Sequence, residues 1–169
     1  MRQLLFLILL FSTHLVLKGQ EYSIESSDAA YDHFNLKESH SLLESILRVD
    51  TIQAEQQCKA LRRLAHQDWK YYQNYPLAKE RLLKADSMGS EKYQTWMLLS
   101  RIERESQHLK EALSAALKAR AFAQSENEVN KANTEYAKGV YTSSIDQLTK
   151  GKTVDAGLLM KTSKLLSKV

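Results

Sequence analysis

The sequence predicts an all-α protein built from antiparallel helix hairpins. Its 169 residues include one proline and five glycines, and the region after residue 20 lacks the alternating β-branched runs that indicate strands. The segment YPLAKERLLKA, residues 75–85, is followed 34 residues later by LKEALSAALKA, residues 109–119. Both segments place small or apolar residues at spacings of four and three, which predicts a helix hairpin that repeats along the chain.

The first element is an apolar run that begins at Leu4, ends at Leu17 and follows one basic residue, Arg2. A run of about 14 residues is shorter than the roughly 20 that a membrane-spanning helix needs, and Gly19 offers a small residue for cleavage. Residues 1–20 are therefore predicted to be a signal peptide, and the chain is expected to be exported to the periplasm or cell envelope. An uncleaved anchor, with membrane contact through this apolar run, and a buried core helix are the alternatives.

The charge and cysteine content of residues 21–169 limit the class of partner and the interactions that can stabilise the fold. Removing residues 1–20 takes away Arg2 and Lys18, so the formal net charge falls from +4 to 22 basic minus 20 acidic residues, or +2. So small an excess disfavours a nucleic-acid partner. The single cysteine, Cys58, cannot form an internal disulfide, so apolar burial must hold the fold. Cys58 is predicted to be a small buried residue, with a reactive thiol as the alternative.

Helix caps and breaks give the order of the elements after the signal segment. Residues 26–28, 50–51 and 86–91 are predicted to precede helices. In the third of these turns, Gly89 is expected to adopt a left-handed conformation and Ser90 to cap the next helix. Short links between helices predict antiparallel neighbours. The predicted helices span approximately residues 28–34, 37–48, 52–73, 76–86, 90–107, 109–124, 126–137, 140–149 and 153–167.

Pro76 is predicted to start a helix rather than to break one. It falls in the first turn of the predicted helix 76–86, where the N–H that proline lacks has no partner within the helix. That helix carries Ala78, Leu82 and Ala85 on one stripe. Small residues on this stripe let a neighbouring helix approach closely.

A further set of residues resembles a known repeat family. Counting from Tyr93, positions 4, 7, 8, 17, 20, 24 and 27 hold Trp96, Leu99, Ser100, Leu109, Ala112, Ala116 and Ala119. This pattern and the 34-residue period resemble the tetratricopeptide repeat (TPR). The resemblance implies a TPR-like α-solenoid, a right-handed superhelix of about three to four hairpins plus a C-terminal capping helix, in which the first helices line a concave groove.

The repeats differ in how well they match the family pattern. His66 stands where the family has a small residue, so a longer first helix that begins near Ile52 is expected in that hairpin. The terminal helix is predicted to cap the last hairpin, with a membrane-surface helix or the first helix of a further repeat as alternatives. The repeat domain is expected at 21–169, with its best repeats at 59–92 and 93–124, degenerate repeats at 28–50 and 125–151, and the terminal helix at 153–167.

Residues on the predicted first helices that are not needed for packing form the candidate partner-binding site. Four of them are cations, which suits an extended or helical peptide with acidic residues, the use that the resemblance implies. A solvated charged face, with pairs such as Arg101 and Glu105, is the alternative. The candidate residues are Arg63, Gln67, Lys70, Gln94, Met97, Arg101 and Arg104.

Other sequence features do not indicate catalysis or a cofactor. The aromatic cluster WKYYQNY is predicted to pack between hairpins through Trp69, Tyr72 and Tyr75, with a stacking platform for sugars or nucleic acid as the alternative. The histidines lack the spacing of metal ligands, so no metal is expected. No phosphate-binding loop, nucleophile elbow or recognisable carboxylate pair is present, so no cofactor is expected and the chain is predicted not to be an enzyme.

Together these features predict a scaffold or sensor input domain in the envelope of a bacterial cell. It would bind a protein or an acidic peptide in the groove, and in outline it is similar to the envelope-side repeat regions of bacterial membrane sensors. A membrane-associated structural protein anchored by its N-terminal hydrophobic segment is one alternative. An enzyme whose site is assembled from distant residues is the other.

Overall fold

The computed structural model describes residues 23–49 and 52–166, and over these residues the chain is all-helical, as predicted. The predicted signal peptide, the predicted cap at residues 50–51 and residues 167–169 lie outside the described residues. The described helices are α1 (Ile24–Asp32), α2 (Leu36–Leu47), α3 (Ala54–Lys70), α4 (Tyr75–Ser87), α5 (Lys92–Glu105), α6 (Leu109–Ala121), α7 (Glu126–Thr149) and α8 (Ala156–Leu166).

The helices pack in chain order. Each helix from α1 to α7 contacts the one that follows it, as expected for antiparallel neighbours with short links. In addition, α1 contacts α3, α3 contacts α5, and α5 contacts α7. The four odd-numbered helices therefore lie side by side, and side chains from distant parts of the chain meet between them.

The predicted packing stripes are buried. In α5, the Ser100 hydroxyl donates to the Ala112 carbonyl oxygen of α6 at 2.8 Å, which requires the two helices to approach closely. Small side chains at the facing positions permit this approach. The stripe residues, each at most 1% exposed, are Ala78, Leu82, Ala85, Ala112, Ala116 and Ala119.

The turns that lead into α4 and α6 share one backbone geometry. Gln73 has a φ of 51° and Gln107 a φ of 65°, and the two positions are 107 minus 73, or 34, residues apart. Each is followed by the N-cap residue of the next helix, Asn74 or His108. The 34-residue recurrence of the sequence is therefore also a recurrence of local structure.

Several helix starts differ from the prediction. Helix α8 begins at Ala156, three residues after the predicted start, and α1 and α5 differ in their caps. Helix α1 begins at Ile24, before residue 28, because the Ser23 hydroxyl accepts a hydrogen bond from the Ser26 N–H at 3.1 Å and caps the helix. Gly89 has the expected left-handed backbone, with a φ of 82°. However, Ser90 does not cap α5, since the N-cap residue is Glu91, itself left-handed with a φ of 48°.

The predicted break between residues 137 and 140 is wrong, because α7 runs without interruption for 24 residues. Gly139 lies in the interior of this helix. A Cβ at this position would lie 2.9 Å from Cδ2 of Leu113 on α6. The missing side chain thus lets α6 and α7 approach each other, and the glycine does not form a turn.

The aromatic cluster is only partly in the core. Trp69 is buried, as predicted, and Tyr75 packs half-buried against the same core cluster. Tyr72 meets the prediction only in part, because its ring packs edge-on against His40 of α2 at a centroid distance of 5.3 Å while its side chain is 50% exposed. Helix α3 ends at Lys70, so Tyr72 does not continue the helical spacing on which the prediction depended.

The first helix of the α3–α4 hairpin is longer than that of the next one, as predicted. Helix α3 has 17 residues and α5 has 14.

Helix α8 packs on α7, a contact that a capping helix and the first helix of a further repeat would both make. Leu158 and Leu165 contact the cluster formed by Tyr136, Val140 and Ala116. Leu159 and Leu166 of α8 remain exposed.

Cys58 is a structural residue of α3, as predicted. Its side chain is fully buried, and its Sγ–H donates to the Ala85 carbonyl oxygen of α4 at 3.4 Å. Burial raises the pKa of the thiol, which keeps it protonated and unreactive.

Candidate functional site

The candidate site is the surface where α1, α3, α5 and α7 lie side by side, here called the odd-helix face. Charged side chains from these helices meet there in ion pairs. The face is defined by Asp28, Arg63, His66, Lys70, Arg101, Arg104, Glu105, Glu135 and Lys138.

Arg63 links α3 to α1. Its Nη2 lies 2.6 Å from Oδ2 of Asp28, and both side chains are partly exposed. An ion pair in contact with water contributes little to stability, so Arg63 can exchange this partner for a ligand at small cost.

Lys70 and Trp69 link α3 to α5 through one carboxylate. The Lys70 ammonium lies 3.5 Å from Oε1 of Glu105 and 3.7 Å from the centroid of the Trp69 ring. The Trp69 Nε1–H donates to Oε2 of the same carboxylate at 3.0 Å. Glu105 therefore pairs across helices with Lys70, and the alternative pairing of Glu105 with Arg101 along α5 is not found.

Glu135 of α7 is the most heavily shared carboxylate on this face. Its side chain is only 3% exposed, and the Nε of Arg104 lies 2.9 Å from its Oε1. Two further cations approach its Oε2: the Nε of Arg101 at 3.7 Å and the Nζ of Lys138 at 3.8 Å. Arg104 alone satisfies the charge of Glu135, so Arg101 and Lys138, which are 49% and 58% exposed, leave an excess of positive charge at the surface.

The remaining predicted residues are not part of this charged surface. Gln67 and Met97 are buried at 2% and 6% exposure, so neither side chain is free to contact a protein partner. Gln94 is exposed, but it lines a separate cavity of about 390 Å³ with Tyr93 and Phe122. The structure thus brings together Arg63, Lys70, Arg101 and Arg104 of the predicted set.

The pKa of His66 responds to the electrostatic potential of the odd-helix face. Burial lowers the pKa of its imidazole, and the cations Lys70, Arg101 and Arg63 lower it further. The ring also packs edge-on against Trp69, with a centroid distance of 5.6 Å. A histidine beside an excess of positive charge resists protonation, so a bound anion would raise its pKa.

We expect the stability of the protein to fall as the pH decreases below the ordinary histidine pKa of 6.5. In this range the unfolded chain takes up a proton at position 66 more readily than the folded chain, so acid favours unfolding. The variant His66→Gln should lose less unfolding free energy than the wild type between about pH 7.5 and about pH 5. Urea unfolding at each pH measures the difference, and equal losses in the two proteins would contradict the assignment.

A second feature adjoins the odd-helix face. Between α1, α3 and the start of α5 lies a cavity of about 500 Å³, lined by residues that include Tyr31, Arg62, His66 and Gln67. The Tyr31 hydroxyl lies 2.7 Å from the Tyr71 hydroxyl. This hydrogen bond, together with burial, raises the pKa of Tyr31 to about 12, so the ring stays neutral.

Comparison of the chain with protein-family models, curated proteins and solved structures finds no match.

None of the helices described at 23–49 and 52–166 is long and apolar enough to cross a membrane. Over the same ranges, no group of three or more histidine, cysteine, aspartate or glutamate side chains is arranged to hold a metal ion.

The acidic residues of the odd-helix face could not be predicted from residue spacing within single helices. Asp28, Glu105 and Glu135 each pair with a cation on another helix. A signal for them was nevertheless present in the sequence. Arg63 and Asp28 are 35 residues apart and Arg101 and Glu135 are 34 apart, so each acid stands about one repeat away from its cation.

Proposed function

We propose that the chain is an exported, non-enzymatic helical-repeat protein that binds an acidic segment of a protein or peptide on its odd-helix face. In this proposal residues 21–169 form a TPR-like α-solenoid, and the odd helices are the first helices of its hairpins. The protein acts in the periplasm or cell envelope as a scaffold or as the input domain of a sensor.

One observation carries the proposal: three cations face the single carboxylate of Glu135. Three positive charges and one negative charge leave a local excess of two. Arg101 and Lys138 are about half exposed, so their charges are accessible to a partner. An acidic segment would neutralise this excess, and charge complementarity of this kind gives an interface its specificity and a fast association rate.

The lowered pKa of His66 also supports an acidic partner, because it indicates a positive potential at a distance from Glu135. The cations that lower it stand on α3 and α5, so the positive potential extends along the face and is not confined to Glu135. An extended or helical segment that crosses neighbouring helices would meet this potential along its length.

The proposal is tested by comparing the proteins that the wild type and two charge-reversal variants capture. The chain lacking residues 1–20 is used to capture proteins from the envelope fraction of the source cell, beside the variants Arg101→Glu and Lys110→Glu. Lys110 is an exposed lysine on α6, so its reversal changes the net charge equally but away from the odd-helix face. We expect a partner that is retained by the wild type and by Lys110→Glu and lost from Arg101→Glu. Equal capture by all three proteins would reject the odd-helix face as the binding surface.

A membrane-associated structural role is the second candidate, favoured by the exposed apolar side chains at the α7–α8 end. Tyr141, Leu148 and Met160 are 69%, 60% and 62% exposed, and exposed lysines stand beside them at positions 150 and 161. A basic apolar surface of this kind binds anionic lipid headgroups. Flotation of the chain lacking residues 1–20 with anionic vesicles tests it, and a protein that stays in the soluble fraction counts against it.

A further inference from the structure

Phe34, in the turn between α1 and α2, has the most exposed side chain among the large apolar residues of the described ranges. It is 92% exposed, so its ring lies almost entirely in water. Its backbone is left-handed, with a φ of 59°. A bulky residue is disfavoured in this conformation, which glycine or asparagine usually adopts at the end of a helix. The backbone strain and the exposed ring are both unfavourable, and no described residue compensates for either.

Two later turns show that this backbone geometry does not require phenylalanine. Gln73 and Gln107 have φ values of 51° and 65°, and each directly precedes the N-cap residue of the next helix. Phe34 precedes the N-cap residue Asn35 in the same way. Because a polar residue serves the same turn at two other places, the ring of Phe34 is available for a contact outside its own fold.

At the other end of the described chain, an apolar groove between α7 and α8 is uncovered. Tyr141 on α7 and Leu159 and Leu166 on α8 line this α7–α8 groove, whose volume is about 690 Å³. Ile145 and Leu148 extend its α7 side, at spacings of four and seven from Tyr141. These five side chains are between 41% and 69% exposed. A continuous apolar surface of this kind indicates an interaction site.

The two ends of the described chain carry opposite charge. Residues 23–49, which include α1 and α2, contain five acidic and two basic residues, a formal net charge of −3. Residues 137–166, which include the groove, contain five lysines and two aspartates, or +3. Ion pairs with residues outside these ranges neutralise Asp28 and Glu44 at the first end and Lys138 at the second, which leaves −1 and +2. Unlike ends of two copies therefore attract each other, whereas like ends repel.

We propose that a second copy of the chain docks head to tail at the α7–α8 groove, with its Phe34 ring in the groove. The ring and the apolar side chains of the groove are then removed from water together. Around Phe34, the exposed acids Asp32 and Glu38 outnumber the one exposed cation, Lys37, and so bring negative charge to the basic end.

The proposed contact joins two different surfaces of the chain, so it is heterologous. Each copy can therefore accept a further copy, and the product is a ring or an open chain. This goes beyond the proposed function, since the occupant is the same protein and neither Phe34 nor the α7–α8 groove belongs to the odd-helix face.

Sedimentation velocity at about 10 μM to about 0.5 mM tests for self-association, because a contact of this size is expected to be weak. The full chain is compared with the chain lacking residues 1–20, which keeps every described residue. We expect the average mass of both proteins to rise with concentration. A monomer throughout this range, or an association that disappears when residues 1–20 are removed, would overturn the proposal.

Variants at the two surfaces locate the contact. Phe34→Gln removes the ring and suits the turn, because glutamine has the same backbone conformation at positions 73 and 107. Tyr141→Gln alters the groove at a side chain that is 69% exposed, so the fold should tolerate it. Each should weaken self-association at least about tenfold, with helicity unchanged by circular dichroism.

Phe122→Gln is the matched control, since it makes the same change at another exposed phenylalanine. It should leave self-association unchanged. An equal loss in Phe122→Gln and Phe34→Gln, or no loss in Phe34→Gln, would overturn the assignment to the α1–α2 turn.

Mixing the two variants distinguishes head-to-tail from symmetric association. Phe34→Gln keeps its groove and Tyr141→Gln keeps its Phe34, so the pair can form one intact contact but cannot extend it. We expect a dimer in the equimolar mixture at concentrations where each variant alone is a monomer. A mixture without dimer would overturn the proposal, and so would self-association of Phe34→Gln alone, which would place the contact between two grooves.

Vesicles decide between a second copy and a membrane as the occupant of the groove. The groove includes Tyr141 and Leu148, which the membrane alternative also uses. Self-association in the absence of lipid supports the second copy. A wild type that stays monomeric without lipid but floats with anionic vesicles would assign the groove to a membrane surface and overturn the proposal.

Discussion

Replacing Arg104 with glutamate is expected to lower the free energy of unfolding by about 3–5 kcal/mol. Glu135 is 3% exposed and depends on Arg104 Nε at 2.9 Å as its nearest cation. The substitution removes that cation and places a second carboxylate beside the first. The two like charges cannot both stay ionised there without a large cost.

Urea unfolding followed by circular dichroism measures this effect. Arg101→Glu is the matched control, because Arg101 is about half exposed and lies farther from Glu135, at 3.7 Å. Its cost should stay below about 1 kcal/mol. Combining Arg104→Glu with Glu135→Gln should restore part of the loss, because the second carboxylate then no longer faces a buried charge. Equal costs for the two arginine reversals would show that the Arg104–Glu135 pair has no special role.

The variant Leu64→Ala is expected to lower the free energy of unfolding by about 2–5 kcal/mol. Leu64 of α3 is fully buried and packs with Ile24 of α1 and with Leu43 and Ile46 of α2. Truncation removes apolar contacts where three helices meet and leaves a cavity among them. Because neighbouring helices close around this point, the site can relax only in part.

Leu83→Ala provides the comparison for this prediction. Leu83 lies on α4 and is 46% exposed, so the same chemical change removes little buried surface. Its cost should stay within about 0.5 kcal/mol. Similar midpoints in urea for the two variants would contradict the packing described for Leu64. Retained helicity of both variants before the transition would show that each starts from the folded state.

The helical class and the packing stripes could be predicted because they depend on local periodicity. Ala78, Leu82 and Ala85 repeat at a spacing that places them on one side of a helix, and this side is buried. The shared turn geometry at Gln73 and Gln107 follows the same recurrence. Each of these features is determined by residues close together in the sequence.

The errors arose where local rules compete with tertiary contacts. Gly139 resembles a helix break in the sequence, yet in the fold it makes room for Leu113 of the preceding helix. Tyr72 has helical spacing from Trp69, but α3 ends before it. Met97 has the position of a groove residue, but neighbouring helices bury it. None of these outcomes can be read from one helix, because each depends on what a second helix does.

The candidate site likewise contains residues that local spacing predicts and residues that only tertiary contacts bring together. The cations of α3 and α5 were identifiable from their spacing, whereas Lys138 of α7 was not predicted. The acids that neutralise the predicted cations lie on other helices, about one repeat away.

The contacts between consecutive helices have a consequence for how the chain reaches its native state. Each helix from α1 to α7 rests on the next, so most native contacts join residues that are near each other in the sequence. Only short loops must close to form such contacts, so the entropy lost before they stabilise the fold is small. A hairpin such as α3–α4 can therefore form as soon as its own residues are available, and later helices can add to it in order.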